Sequence, residues 1–274
     1  MGLELTRVSL PTVNWLGYPD GGELLGADPV PLWPLELVLD GAAEAGFPAV
    51  GLDHFTLRGA AGDDLGPMLR GRGLACTDVG ILPIGRTDAR SVAETLGHVA
   101  AAAGARTCIA AFFAPIDRGE AVRVLEDCAG ILAGGGVRIA LEFASYGGLT
   151  RLADAVALCD AVGWERCGLL LDTWHFFRSG ADWRLLRTLR GSQIALVHWN
   201  DGTEDVGDDP VWAGRHARLP SGAGTFPLSE LARTLDAAGC RAPLSTEVLS
   251  DAIRLRPPAE GARTLFKQIE VTLG

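Results

Sequence analysis

The stretch Val137-Arg138-Ile139-Ala140-Leu141-Glu142-Phe143 decides the fold. Val137, Ile139, Leu141 and Phe143 recur with period two, so they share one face of a strand and leave Ala140 and Glu142 on the other. Helices would cover the aliphatic face, while the opposite face offers a small residue and then an acid at the strand end, aimed into the mouth of a closed sheet. The next apolar run, Gly168-Leu169-Leu170-Leu171-Asp172-Thr173-Trp174-His175, also ends in an acid, with a histidine three residues on. Ile194-Ala195-Leu196-Val197-His198-Trp199-Asn200-Asp201 ends in His198. Leu244-Ser245-Thr246-Glu247-Val248 closes on Glu247, whose neighbours Leu244, Thr246 and Val248 face the other way.

Outward from these four, the same unit recurs. Four earlier strands are expected at Thr6–Val13, Ala49–Phe55, Leu74–Leu82 and Thr107–Phe113, ahead of Val137–Phe143, Gly168–Thr173, Gln193–Trp199 and Leu244–Leu249. Ala/Leu-rich helical stretches separate them, such as Pro34–Ala45, Ala89–Ala103, Gly119–Leu132, Leu149–Ala161, Trp183–Leu189 and Leu228–Ala238, and Pro258–Leu273 follows the last; Asp63–Arg72 is the weakest helical pattern. Eight strand-then-helix units in 274 residues, with no Pro/Ser-rich linker or charge block, predict one α/β domain over residues 1–274, a (β/α)8 TIM barrel with its active site at the C-terminal strand ends. A doubly wound open sheet competes less well. After the first strand, Val13-Asn14-Trp15-Leu16-Gly17 lacks the G-x-G-x-x-G turn that binds dinucleotides, and Gly134-Gly135-Gly136 closes a helix instead of opening one.

Composition excludes several classes. Hydrophobic residues make up 48% of the chain, enough for a large core and too many for a disordered chain. The longest stretch without a charge, Val8 to Pro19, falls short of the roughly 20 apolar residues of a membrane span. A formal net charge of −10 repels phosphate backbones, so no nucleic-acid partner is expected. The 6 cysteines show no C-x-x-C pair and read as reduced core residues. Glu4 and Arg7 break any apolar leader, and a cytoplasmic location is expected. Gly2 and Thr6 fit a loose myristoylation pattern but lead into the first core strand.

Neighbouring strands lie ~4.8 Å apart, so Glu142, Asp172, His198 and Glu247 would converge on one point. Three acids that close raise one another's pKa unless a cation compensates, and hard oxygens with one imidazole suit a divalent metal. Mn²⁺ or Mg²⁺ fits the oxygen-rich set best; Co²⁺ and Zn²⁺ remain open. His54, after Gly51-Leu52-Asp53, falls at the same mouth and is a candidate pocket residue. Trp15, Trp174 and Trp199 are candidates to wall the pocket with apolar faces.

With these residues in view, the chain resembles the xylose isomerase-like TIM-barrel superfamily, in its sugar phosphate isomerase/epimerase branch. The resemblance rests on Leu141-Glu142, on Leu170 to Gly180 with its D-x-x-H, on Val197-His198-Trp199-Asn200-Asp201 and on Thr246-Glu247. It implies that Glu142, Asp172, His198 and Glu247 bind a metal, that Glu142 and Glu247 are the catalytic pair acting from opposite faces, and that His175 contacts substrate hydroxyls. Arg218-Leu219-Pro220-Ser221-Gly222-Ala223-Gly224 is similar to the family's Arg followed by a Pro-Gly-Glu-Gly loop, with Ala223 where an acid is common; Arg218 would hold a substrate oxygen, with Arg215 as the fallback.

The implied reaction is proton abstraction beside the carbonyl of a small polyol ketone or cyclitol, an isomerisation or epimerisation through an enediolate. A dehydratase of the inosose or dehydroshikimate type is the nearest alternative, since loss of a β-hydroxyl from the same enediolate gives a lyase. An apurinic endonuclease-like repair enzyme is remote. Its three-zinc cluster needs further histidines, whereas Thr107–Phe113 has none and Asn200-Asp201-Gly202-Thr203 lacks the Asp-x-His pair.

Overall fold

The computed structural model describes residues 4–19, 27–58 and 64–273; Gly2 and Asp63, singled out in the sequence, lie outside the described residues. Eight parallel strands form a closed barrel: β1 (Val8–Pro11), β2 (Ala49–Asp53), β3 (Ala75–Ile84), β4 (Thr107–Phe112), β5 (Arg138–Glu142), β6 (Cys167–Asp172), β7 (Ile194–His198) and β8 (Leu244–Ser245). Each strand pairs with its sequence neighbours, and β1 closes the ring by pairing with both β2 and β8. This is the TIM barrel expected from the eight strand–helix recurrences.

The alternation seen in the sequence sorts two layers. Val137, Ile139, Leu141 and Phe143 join the large core between sheet and helices, while Ala140, Leu170, Ala195 and Leu196 form a separate plug inside the barrel, with Ile109 against it. That plug fills the barrel beneath the strand-end acids. Long outer helices such as Ala89–Ala103, Arg118–Ala133 and Pro258–Leu273 cover the aliphatic face.

Three departures from the sequence reading shape the mouth. β8 stops at Ser245, four residues before the expected end, because Asn14 replaces a strand partner. Its Nδ2 donates to the Thr246 carbonyl (2.9 Å) and its Oδ1 accepts from the Val248 amide (2.8 Å). Residues Pro210–His216 form a helix that periodicity did not reveal, although Asp209 caps its first amides and Pro210 opens it, as such residues do at helix starts. Leu16–Gly17 and Val30–Pro31 pair as a small antiparallel ribbon beside β1.

Candidate metal centre

Local chain geometry brings the strand-end acids to one place. Asp172 is the last residue of β6 and the N-cap of the helix Thr173–Arg178: its Oδ1 accepts from the Trp174 amide (2.7 Å) and from Asn200 Nδ2 (2.9 Å). Both bonds hold one oxygen and turn Oδ2 towards the barrel axis. Asp172 pairs in register with His198 on β7, and Glu142 pairs with Leu170, two residues behind Asp172. Glu247 arrives from the segment that Asn14 diverts. One donor atom from each of Glu142, Asp172, His198 and Glu247 lies within 4.8 Å of the others, and all four residues are buried.

A ring of ligands about 2.1 Å from a common centre spans about 3 to 4.2 Å, so this spacing suits one divalent ion after small side-chain shifts. The imidazole supplies the sharper test. Neither ring nitrogen of buried His198 has a hydrogen-bond partner among the described residues, yet Nδ1 sits 3.3 Å from Glu247 Oε2, 3.7 Å from Glu142 Oε1 and 3.8 Å from Asp172 Oδ2. A buried polar atom without a partner is costly, and a cation shared with the three carboxylates would satisfy it. The donor set fits a metal, provided Arg218 Nη1 yields the Asp172 and Glu247 oxygens to which it donates.

Electrostatics split the cluster. Burial and the nearby Glu247 charge push the Glu142 carboxyl up to about 8. Burial also raises Glu247, but His198 and Arg218 outweigh it and hold that carboxyl below its ordinary value. For Asp172, burial is outweighed by Arg218 and the two histidines, and its carboxyl stays well down. Burial works against charge on His198, but the surrounding carboxylates overcome it and raise the imidazole well above its ordinary value.

Arg218 stands closer to the acids than the sequence reading placed it. Nη1 donates to Asp172 Oδ2 (2.6 Å) and Glu247 Oε2 (2.8 Å), and Nε to the Gly214 carbonyl (2.8 Å). Nη2 is left 3.5 Å from His175 Nε2. The loop bearing Arg218 lacks the family's acid at Ala223, and Asp201 supplies a carboxylate instead: its oxygens accept from the amides of Gly202, Gly222, Gly224 and Phe226. A Cβ on Gly224 would meet Asp201 Oδ1 at 2.4 Å, so this position must stay glycine.

A cavity of about 390 Å³ opens above the cluster. Glu142, His198, Glu247, His175, Arg215 and Arg218 line one side, and His54 lies in the wall at the end of β2. Asp172, though central to the cluster, does not reach the cavity. His175 Nδ1 accepts from the Ser145 amide (3.1 Å) and His54 Nδ1 from the Ile81 amide (3.1 Å). Burial lowers both imidazoles, His175 to about 4. With Nδ1 accepting, a neutral ring carries its proton on Nε2 as a donor; His54 Nδ1 also lies 3.4 Å from the Gly80 carbonyl oxygen.

The tryptophan expectation is corrected. Trp174 and Trp199 are both 1% exposed and neither lines the cavity, nor does Trp15. Trp174 lies under the guanidinium groups of Arg178 (4.8 Å) and Arg218 (5.9 Å), and Trp199 belongs to the outer core. Such large apolar areas are held more strongly by packing than by a wet pocket. Phe55, Phe112, Phe113, Tyr18 and Tyr146 supply the aromatic wall in their place.

Comparison with known proteins agrees with this architecture. The chain is 34% identical over 109 residues to a 3-dehydroshikimate dehydratase of Pseudomonas aeruginosa, covering 38% of this chain and 17% of that protein. It is 32% identical over 106 residues to the inosose isomerase of Bacillus subtilis, covering 36% of this chain and 38% of that protein. The matched stretch thus spans well under half of either relative. The solved IOLI protein with a binding zinc atom superposes with a TM-score of 0.80 at 18% identity, over 97% of this chain and 98% of that one. A D-allulose 3-epimerase from Methylomonas sp., in complex with D-allulose, gives 0.73 at 16% identity, over 98% of both chains. At those identities the structural likeness establishes the fold. The family profile described as xylose isomerase-like TIM barrel matches residues 39–270, nearly all of the barrel just described, and the chain belongs to that family.

Proposed function

We propose that this chain is a divalent-metal-dependent enzyme that isomerises or epimerises a sugar or cyclitol ketone by moving a proton beside its carbonyl, through an enediolate. The observation that carries this reading is the placement of two carboxylates: Glu142 and Glu247 flank the four-donor cluster and both reach the cavity, whereas Asp172 is sealed beneath it. The three carboxylates and His198 would hold the ion, Mn²⁺ or Mg²⁺ by the excess of oxygen donors, with Co²⁺ and Zn²⁺ as lesser fits. When bound, such an ion polarises a carbonyl and stabilises neighbouring negative charge by several kcal/mol.

The remaining work falls to the chain itself. One of Glu142 and Glu247 takes the proton from the carbon beside the carbonyl, and the other returns a proton from the opposite flank; a positioned carboxylate contributes ~10²–10⁴-fold. Return to the same carbon gives an epimer, and delivery to the neighbouring carbon gives an isomer. His175 and His54 donate from Nε2 to substrate hydroxyls, and Arg218 offers Nη2 to an oxygen. An unphosphorylated substrate suits the cavity, because Arg58 and Arg86 in its wall are already paired with Asp28 (2.7 Å) and Asp88 (3.1 Å). Six free, buried cysteines support the expectation of a reducing, cytoplasmic setting.

The identity to a 3-dehydroshikimate dehydratase over 109 residues favours a second reading, a dehydratase in which a β-hydroxyl leaves from the same enediolate. A panel of ketoses and inososes incubated with enzyme and manganese in deuterated water tests both. Deuterium incorporation without an absorbing enone supports the isomerase or epimerase, and formation of an absorbing enone, with or without incorporation, supports the dehydratase. Neither incorporation nor enone with any member, in panels run with manganese, magnesium, cobalt and zinc in turn, would contradict both.

A further inference from the structure

Asp78 is a carboxylate that the proposed chemistry leaves unused. It lies in the middle of β3, is 2% exposed, and lines the cavity on the wall across from the metal cluster. Ile81, Ile109, Ala111 and Phe112 are among the apolar residues that line the same cavity. The neighbouring strand makes room for it. Gly51 pairs in register with Asp78, and a Cβ at position 51 would lie 2.5 Å from Asp78 Oδ2.

Hydrogen bonding on the other oxygen reports where a proton sits. Thr77 Oγ1 lies 2.6 Å from Asp78 Oδ1 and 3.2 Å from the Val50 carbonyl oxygen. A hydroxyl carries one hydrogen, and a carbonyl oxygen can only accept. If Thr77 donates to Val50, the shorter contact is a bond only when Asp78 Oδ1 carries a proton and donates it to Thr77. A chain from Asp78 through Thr77 to Val50 satisfies all three groups; an ionised Asp78 leaves two acceptors competing for one hydrogen. Burial, the largest influence, pushes the Asp78 carboxyl up; the Thr77 contact and His198 oppose this and Glu247 adds to it.

We propose that Asp78 is held as a neutral carboxylic acid and that its Oδ2, over Gly51, accepts a hydrogen bond from a substrate hydroxyl remote from the reacting carbonyl. This rests on the polyhydroxylated ketone proposed above. Among the described residues no hydrogen bond reaches Oδ2. As a lone acceptor in an apolar wall, it makes one hydroxyl position a condition of binding, since a site built to pair a hydroxyl rejects an analogue lacking it. The apolar residues beside it take the C–H face of the same substrate.

The test compares metal-loaded wild type with D78N and D78L, using scyllo-inosose as the probe in calorimetric titrations and infrared difference spectra at neutral pH. The wild-type minus D78N spectrum should contain the C=O stretch of a protonated carboxyl. D78N, a neutral isostere, should weaken binding by less than about threefold, and D78L by about tenfold or more, as for a substrate hydroxyl left unpaired on burial; metal content should be unchanged in both. An ionised-carboxylate band in place of the protonated one, or D78L binding within about threefold of wild type, would overturn the proposal. If D78L does not fold, D78A takes its place with the same expectation. Failure of the wild type to bind the probe counts against the proposed substrate class, and the infrared spectrum then decides the state of Asp78 by itself.

Discussion

Strands β5 to β8 and strands β2 to β4 wall the same cavity with opposite chemistry. The first group ends in Glu142, Asp172 and His198, with Glu247 just beyond β8, and draws Arg218 in among them. The second presents Ile81, Pro83, Ile109, Ala111 and Phe112, broken by Asp53, His54 and Asp78. The fold is the same on both sides, one parallel ladder after another, so the difference lies in a few strand-end side chains. Charge is gathered where donors converge; on the other side apolar surface predominates, and the charged groups there are already tied up, Asp53 with Thr12 and Thr56, Arg58 with Asp28 and Arg86 with Asp88. On the proposed function, reaction and recognition are divided across the barrel axis, as barrel enzymes allow when each loop and strand end varies independently.

The largest effect should come from the charged side. Glu142→Gln or Glu247→Gln should reduce exchange of a substrate C–H with solvent deuterium by ~10²-fold or more, with the thermal midpoint little changed. Persistent exchange in both variants would remove the acid/base roles. On the other side, His54→Ala should raise KM several-fold, about the worth of one hydrogen bond, and leave kcat within about threefold. A fall in kcat as large as that of the glutamate variants would erase the division between the two walls. The smallest effect concerns protons: because burial and Glu247 raise the Glu142 carboxyl, and the acids raise His198, the metal-free cluster is partly protonated at neutral pH. Metal uptake must expel those protons, so affinity should weaken as pH falls from 8 to 6. Titrations in buffers of different ionisation enthalpy measure the release; a pH-independent affinity with no proton release would contradict this electrostatic picture.

The sequence was most legible where one strand decides its own facing. Glu142 could be placed from the alternation Val137, Ile139, Leu141, Phe143 because helices cover one face of the sheet and that period is local. Asp78 could not, because register shifts between Val50 and Gly51 and between Val79 and Leu82 interrupt the alternation around it. Asn14 and Asp201 were equally hidden: each acts on backbone from a distant segment, and nothing in the spacing of Asn14 points to residues 246–248. The tryptophans failed for a related reason. Their burial depends on which helices and arginines cover them, and a residue next to a metal ligand in sequence can still point into the core. The helix Pro210–His216 was legible in principle, since Asp209-Pro210 is a start signal, but with so few residues it carried little periodicity.

The central claim is that Glu142, Asp172, His198 and Glu247 together hold one divalent ion. The direct measurement is elemental analysis after loading with manganese and desalting, on wild type and on His198→Ala. About one ion per chain in wild type, falling to about a tenth of that in the variant, is the predicted result, in line with the loss of a ligand from a four-donor site. An ion content near zero in wild type, or full occupancy in His198→Ala, would contradict it.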